Sequence, residues 1–263
     1  MIVESYEDVI ILSGALRSNF WETIHTAISL TLKRHPTGVI IDCSGLTEAN
    51  AAGAETFRDA MDFINGHDAR IIVAAVPAQV MDVLKSVSEV RSQLAVAASV
   101  EEARHSLDLL HNGQPTKGKK KPLVENAQKL LVCLYTGTSV EEDDAAMRVA
   151  AMIADSAPTE VELVCLLLVP RNLPIQAPMQ QQEDSAVAAV ERAAKFFQVR
   201  DVDYVTKVER ARDVASGLNE ALSEFNAARI VLPLIQRAVK KEDNLRLVET
   251  VLSAVNREIV FVR

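Results

Sequence analysis

The stretch Gly38–Gly53, GVIIDCSGLTEANAAG, decides how this chain is read. Its apolar run Val39-Ile40-Ile41 has the composition of a buried strand and ends in Asp42-Cys43-Ser44-Gly45. A short polar turn is expected next. Gly53 then opens a segment in which Ala54, Phe57, Ala60, Met61 and Ile64 recur at helical spacing. A strand thus delivers a loop to a helix N-terminus, where unpaired backbone N–H groups favour an anion.

Outward from that stretch, residues 1–110 read as strand, strand, helix, strand, helix, strand, helix, strand, helix. Val9–Leu12 is a short strand, and Asn19 is placed to cap a helix whose buried stripe is Phe20, Ile24, Ala27, Ile28 and Leu32. Asn65-Gly66 turns the chain into the strand Ala69–Val76, and Pro77 suits the first turn of the next helix. A weak strand around Leu94–Ala97 leads to Ser99, a cap with Glu102 at the capping-box position.

Residues 111–128 carry Gly, Pro and a lysine run without apolar periodicity, which reads as a flexible basic linker. Gly113–Lys119 fits the front of a phosphate-binding loop. No strand feeds it, Pro115 interrupts it, and Lys120 stands where a magnesium-holding hydroxyl belongs, so the match is discounted.

Residues 129–263 alternate regularly between strand and helix. Leu130–Tyr135, the nearly unbroken apolar run Val161–Val169, Val202–Val208, Ile230–Leu234 and Ile259–Val262 are five strands separated by four helices. This is the pattern of a doubly wound parallel sheet, with a long Pro- and Gln-rich loop at residues 170–182. The fold class is α/β throughout, a mixed sheet with helices followed by a Rossmann-like domain.

Two family resemblances follow from these residues. In the first half, Leu12-Ser13-Gly14-Ala15-Leu16, the strand ending Asp42-Cys43-Ser44-Gly45, and Ala49-Asn50-Ala51-Ala52-Gly53 resemble the STAS domain of bacterial anti-sigma factor antagonists. That resemblance implies a partner-binding surface at Asp42, Ser44, Asn50, Ala51, Ala52 and Gly53, engaged by an anti-sigma factor or kinase. It also implies a phosphoacceptor serine at the position of Ala51, preceded by an aspartate at the position of Asn50. Alanine has no hydroxyl, so phosphoryl transfer there is chemically impossible. Ser44 and Thr47 are nearby hydroxyls, read as loop and capping residues.

The second half resembles a universal stress protein domain through Leu131–Thr138 and Ala228–Leu232. Nucleotide-binding members carry a glycine-rich segment after the fourth strand. Here Pro233–Thr250 contains no glycine, and the first turn offers Thr136 where the family has an aspartate. Thr136, Gly137, Thr138 and Arg237 remain as a candidate ligand set, with Lys240 and Lys241 beside Arg237. The resemblance further implies a homodimer paired along the edge strand Ile259–Val262.

Composition bounds the rest. The chain has 263 residues, 49% hydrophobic, with a formal net charge of −8, enough for two cores and unfavourable for nucleic acid or anionic membrane. No apolar run is long enough to cross a bilayer and none follows Met1 as a signal core, so a cytoplasmic protein is expected. Cys43, Cys133 and Cys165 each fall in or at the end of apolar strands, as small buried hydrophobes do. The five histidines all lie in the first half without metal-ligand spacing, and no G-x-S-x-G elbow occurs. Asp42 with His67 is the one conceivable pair, and an Asp at a strand end is more often a turn residue. The expectation is a non-enzymatic regulatory or stress-signalling protein that acts through protein contacts and needs no cofactor or metal. The alternative is a small-molecule or nucleotide sensor with a divergent pocket in the second half.

Overall fold

A computed structural model describes residues 1–67, 69–112, 116–117, 127–235 and 241–263. The chain folds into two compact units, one of residues 1–111 with 170–180, the other of residues 112–169 with 181–263. Both are α/β units with largely parallel sheets.

In the first unit, β1 (Ile2–Tyr6) and β2 (Val9–Leu16) form an antiparallel hairpin with Ile2 opposite Ser13 and Tyr6 opposite Val9. The helix α1 (Trp21–Leu32) leads to β3 (Gly38–Ala49), α2 (Ala51–Asn65), β4 (Arg70–Ala74), α3 (Ala78–Ser86), α4 (Ser88–Gln93), β5 (Ala95–Ala97) and α5 (Val100–Asn112). The sheet order is β1-β2-β3-β4-β5, parallel from β2 onward. Side chains alternate across it. Ile10, Leu12, Val39, Ile41 and Cys43 face α1, α2 and α3 in the main core, while Val9, Ile40, Ile72 and Ala74 face Ala103 and Leu107 of α5.

Three readings of this half are corrected. First, β3 does not end at Asp42 but continues through Ala49, because β2 bends with two register shifts and pairs Ala15 with Glu48 and Leu16 with Ala49. The residues expected in a loop, Cys43–Ala49, are strand. Second, α2 starts at Ala51 with Asn50 as its cap, two residues before Gly53. Third, the cap of α1 is Phe20, although the Asn19 carboxamide does accept from the Trp21 N–H at 2.8 Å. The short α4 was not anticipated.

The segment 170–180 packs as part of this first unit, whereas the sequence places it within the second half. It is folded into turns in which the Leu173 N–H donates to the Pro170 carbonyl and the Ala177 N–H to the Pro174 carbonyl. Arg70, 5% exposed, fixes it: its guanidinium donates to the carbonyls of Ser106 and Gln176. A charge so deeply buried is tolerated when it finds hydrogen-bond partners, as both terminal nitrogens of this guanidinium do.

The second unit contains β6 (Thr116–Lys117), β7 (Gln128–Tyr135), α6 (Val140–Ser156), β8 (Thr159–Leu168), α7 (Gln180–Val199), β9 (Asp203–Ala211), α8 (Val214–Phe225), β10 (Arg229–Pro233), α9 (Lys241–Ala254) and β11 (Glu258–Val262). The sheet order β11-β10-β7-β8-β9-β6 puts the most apolar strands in the middle, and β7 to β11 pair in parallel. Two cores cover its faces, one around Leu131, Val164, Leu218 and Ile230, the other around Val132, Leu163, Ala193 and Phe197. The strand β6 falls inside the stretch read as linker, where Thr116 and Lys117 pair antiparallel with Thr206 and Val205. The remainder of that stretch, including the phosphate-loop match, lies mostly outside the described residues.

Candidate functional site

The surface implied in the first unit is built where β3 hands over to α2. Asp42 and Ser44 are not loop residues; they sit on β3, and the Asp42 carboxylate accepts from the Ser44 N–H at 2.9 Å. This local bond is the turn-type role weighed for Asp42. His67 has other partners: its ring lies against Phe63 and its Nδ1 is 2.9 Å from the Phe63 carbonyl. Asp42 and His67 thus each have a partner close by in the chain.

Asn50 organises the helix start. Its side-chain oxygen accepts from the Gly53 N–H at 2.8 Å, and its Nδ2 donates to the Arg17 carbonyl at 2.8 Å. The Asn50 N–H itself donates to the Leu16 carbonyl. A cap that reaches back to the end of β2 locks the strand to the helix. Ala51 and Ala52 follow on the surface, whereas Gly53 is buried against Leu16. The site residues thus divide: Ala51 and Ala52 are presented to solvent, Asn50 and Gly53 hold them there. Sequence reasoning missed Arg17 and Glu48, an ion pair on the adjoining ends of β2 and β3, and Gln79, which donates to the Thr47 carbonyl. Only the three-dimensional hand-over brings these distant positions together.

In the second unit the candidate ligand residues Thr136, Gly137 and Thr138 follow β7, while Arg237 lies outside the described residues. Thr136 accepts from the Leu168 N–H at 2.9 Å, and Gly137 takes a φ of +113°, which favours glycine. Thr138 donates to the Asp143 carboxylate at 2.7 Å, and Arg192 of α7 pairs with the same carboxylate at 3.0 Å. Burial raises the Asp143 carboxyl above its ordinary range, against the lowering effect of the Thr138 hydroxyl and the Arg192 charge. Ser139 and Glu142 form the capping box read from sequence. Between α6 and α7 lies an open cavity of about 510 Å³ lined by Thr136, Thr138, Ser139, Asp143, Gln181 and Arg192.

In open parallel sheets ligands enter where the strand order reverses, at the carboxyl ends. Here that crevice lies between β7 and β10. The buried Tyr135 spans it, its phenol donating to the Pro233 carbonyl at 3.0 Å. Burial pushes the phenol's ionisation up, so it stays a neutral donor. The neighbouring helix start is rich in carboxylates, with Glu141, Glu142 and Asp143 in its first turn. A polyphosphate at this end meets the negative charge of that first turn.

The cysteines are free and buried; burial pushes Cys165 up to about 12 and raises Cys43 and Cys133 as well. A thiol held protonated is a poor nucleophile. Among the described residues no group of three or more metal-ligating side chains gathers, and no helix is long and apolar enough to cross a membrane.

No family model and no curated protein matches the chain. It is similar to solved structures of universal stress proteins. One from Archaeoglobus fulgidus is 13% identical and covers 52% of this chain and 100% of its own, with a TM-score of 0.43. One from Burkholderia pseudomallei is 19% identical over 53% of this chain and 98% of its own, with a TM-score of 0.38. A third, from Archaeoglobus fulgidus DSM 4304, is 13% identical over 95% of this chain and 96% of its own, with a TM-score of 0.39.

Proposed function

We propose that the chain is a non-enzymatic regulatory protein of the cytoplasm that works through protein–protein contact. Its first unit acts as a STAS-like module, of the anti-sigma factor antagonist type, whose partner is a regulatory protein such as an anti-sigma factor or kinase. Its second unit is universal stress protein-like, serves stress signalling, and associates as a homodimer through β11, which occupies the open edge of its sheet. The observation that carries the reading is the start of α2: Ala51 and Ala52 are exposed beside the Asn50 cap on a rigid strand-to-helix turn, with no hydroxyl at either position. A surface presented in this way binds without a phosphorylation switch at Ala51. In phosphorylated relatives a phosphate adds nearly two negative charges to such a contact.

The test uses the full chain as bait in lysate of its own cells, beside an Ala51→Glu variant. A regulatory partner retained by the natural chain and lost by Ala51→Glu supports the reading. Identical capture by both overturns it. Phosphorylation of an Asn50→Asp, Ala51→Ser double variant, and not of the natural chain, would place a kinase among the partners.

A second reading, a small-molecule sensor, rests on the 510 Å³ cavity of the second unit. Its hydroxyls, amides and the Asp143–Arg192 pair suit a polar ligand more than a polyphosphate. A ligand at a hundred times its dissociation constant raises stability by about 2.7 kcal/mol. Thermal unfolding with ATP and with uncharged nucleosides tests this directly.

A further inference from the structure

We propose that the first unit carries a binding site for a free medium-chain fatty acid, or a carboxylate of the same build. The site is a cavity of about 610 Å³ enclosed by α3, α4, β5 and the segment 170–180, within the size range of small-molecule pockets. Its floor is apolar. Leu84, Val90 and Leu94 line it and are buried in the core of the unit, and Ala177 closes it from the segment. Leu173 stands at its wall and remains 36% exposed, a large apolar side chain left facing solvent beside an apolar hollow.

The charged groups at this cavity have one sign. Lys85 and Arg91 both line it and both are exposed. Neither forms an ion pair among the described residues. Each sits in the last turn of its helix, where a cation is favoured by the helix dipole. The dipole accounts for the charges but not for their position at the mouth of an apolar hollow. Asn172 adds an amide to the same rim. The combination fits a ligand with an apolar body and one anionic end. A guanidinium matches a carboxylate through two parallel hydrogen bonds, with the ammonium as a second point charge. The rim has no further cation among its lining residues, so a single negative charge is the better match than a polyphosphate.

The segment 170–180 completes the site. Its hold on the unit through the buried Arg70 guanidinium keeps Leu173, Pro174 and Ala177 over the hollow.

The full chain is titrated into dansyl-undecanoate and the dansyl emission followed, with dodecanoate, dodecanol and dodecyltrimethylammonium as competitors. We expect saturable one-to-one binding, displacement by dodecanoate, and competition by the alcohol and the ammonium weaker by about tenfold or more. The Lys85→Glu, Arg91→Glu double variant should weaken binding by about tenfold or more, with the urea midpoint read from Trp21 emission unchanged. Leu173→Asp tests the wall independently of the cations and should abolish binding. Absence of saturable binding overturns the proposal. So does equal competition by dodecanol, or retention of affinity by both variants.

Discussion

Replacing Gly53 with alanine sets two physical effects of opposite sign against each other. Helix propensity alone favours alanine by about 1 kcal/mol. The packing of α2 on β2 opposes it. A Cβ at residue 53 would lie 2.0 Å from the Leu16 carbonyl oxygen and 2.8 Å from its carbonyl carbon, so backbone must move. That oxygen cannot retreat freely, since it also accepts from the Asn50 N–H at 3.2 Å, and the Asn50 side chain holds the Gly53 N–H. Moving the helix away therefore strains its cap as well as its packing. Overpacking costs about 1–3 kcal/mol and loss of a cap about 1 kcal/mol, so, net of the propensity gain of about 1 kcal/mol, Gly53→Ala should destabilise the first unit by about 2 kcal/mol. With a urea dependence of about 1.5 kcal/mol per molar, the midpoint falls by about 1.3 M. The chain has one tryptophan, Trp21, packed on the core of the first unit, so its emission reports that unit alone. A midpoint unchanged or raised would show that propensity wins and that Gly53 is no close approach.

Three further outcomes are expected. Ala75 is held at a φ of +52°, a left-handed conformation costly for a residue with a Cβ, so Ala75→Gly should raise the Trp21 midpoint by about 0.5–1 kcal/mol in free energy. Lys207 bridges Glu162, Glu209 and Glu224; burial alone would lower its pKa, but their hydrogen bonds and charge raise it. Lys207→Met strands the buried Glu162 and should cost the second unit about 3–5 kcal/mol, seen in the far-ultraviolet dichroism transition but not in Trp21 emission. Burial alone would raise Asp8, but Arg104 outweighs it through hydrogen bonds and charge and holds the carboxyl below 3.8. Its contribution is present above that unfolded value and is lost as pH falls through the lower folded one. The stability gap between the natural chain and Arg104→Leu should therefore be full at pH 6 and shrink below about pH 4; a gap that widens on acidification would refute the sign.

The second unit was the more legible from sequence, for a physical reason. Strands buried on both faces must be continuous apolar runs, and β7, β8 and β10 are such runs with helices between them. In the first unit, β3 was legible only as far as its apolar half. Thr47 and Glu48 extend it because β2 bends to meet them, and pairing of that kind leaves no mark on composition. From sequence Gly53 reads as the opening of a helix, but it is the third helical residue, made glycine by the carbonyl of Leu16 thirty-seven positions earlier. The exposed alanines were visible as a departure from a motif; the Asn50 tether to Arg17 that presents them was not. Thr138, Asp143 and Ser139 could be grouped by their spacing on one helix start, but Arg192 could not, since nothing local ties α7 to α6. The hollow beneath residues 170–180 had no sequence signal. A Pro- and Gln-rich stretch announces irregular backbone without announcing what it covers.

That the first unit is made of two separate lengths of chain bears on how the protein is made. A nascent chain emerges N-terminal end first, at about 5–20 residues per second, and domains fold as they become complete. Residues 1–111 can assemble their sheet early, but the Gln176 carbonyl that receives the Arg70 guanidinium arrives only after β7, α6 and β8 have been synthesised. Until then Arg70 is a cation short of one of its acceptors, and the apolar wall of Leu84, Val90 and Leu94 lacks part of its cover. The interval is a few seconds of translation during which the ribosome-bound chain exposes a surface that the finished protein closes.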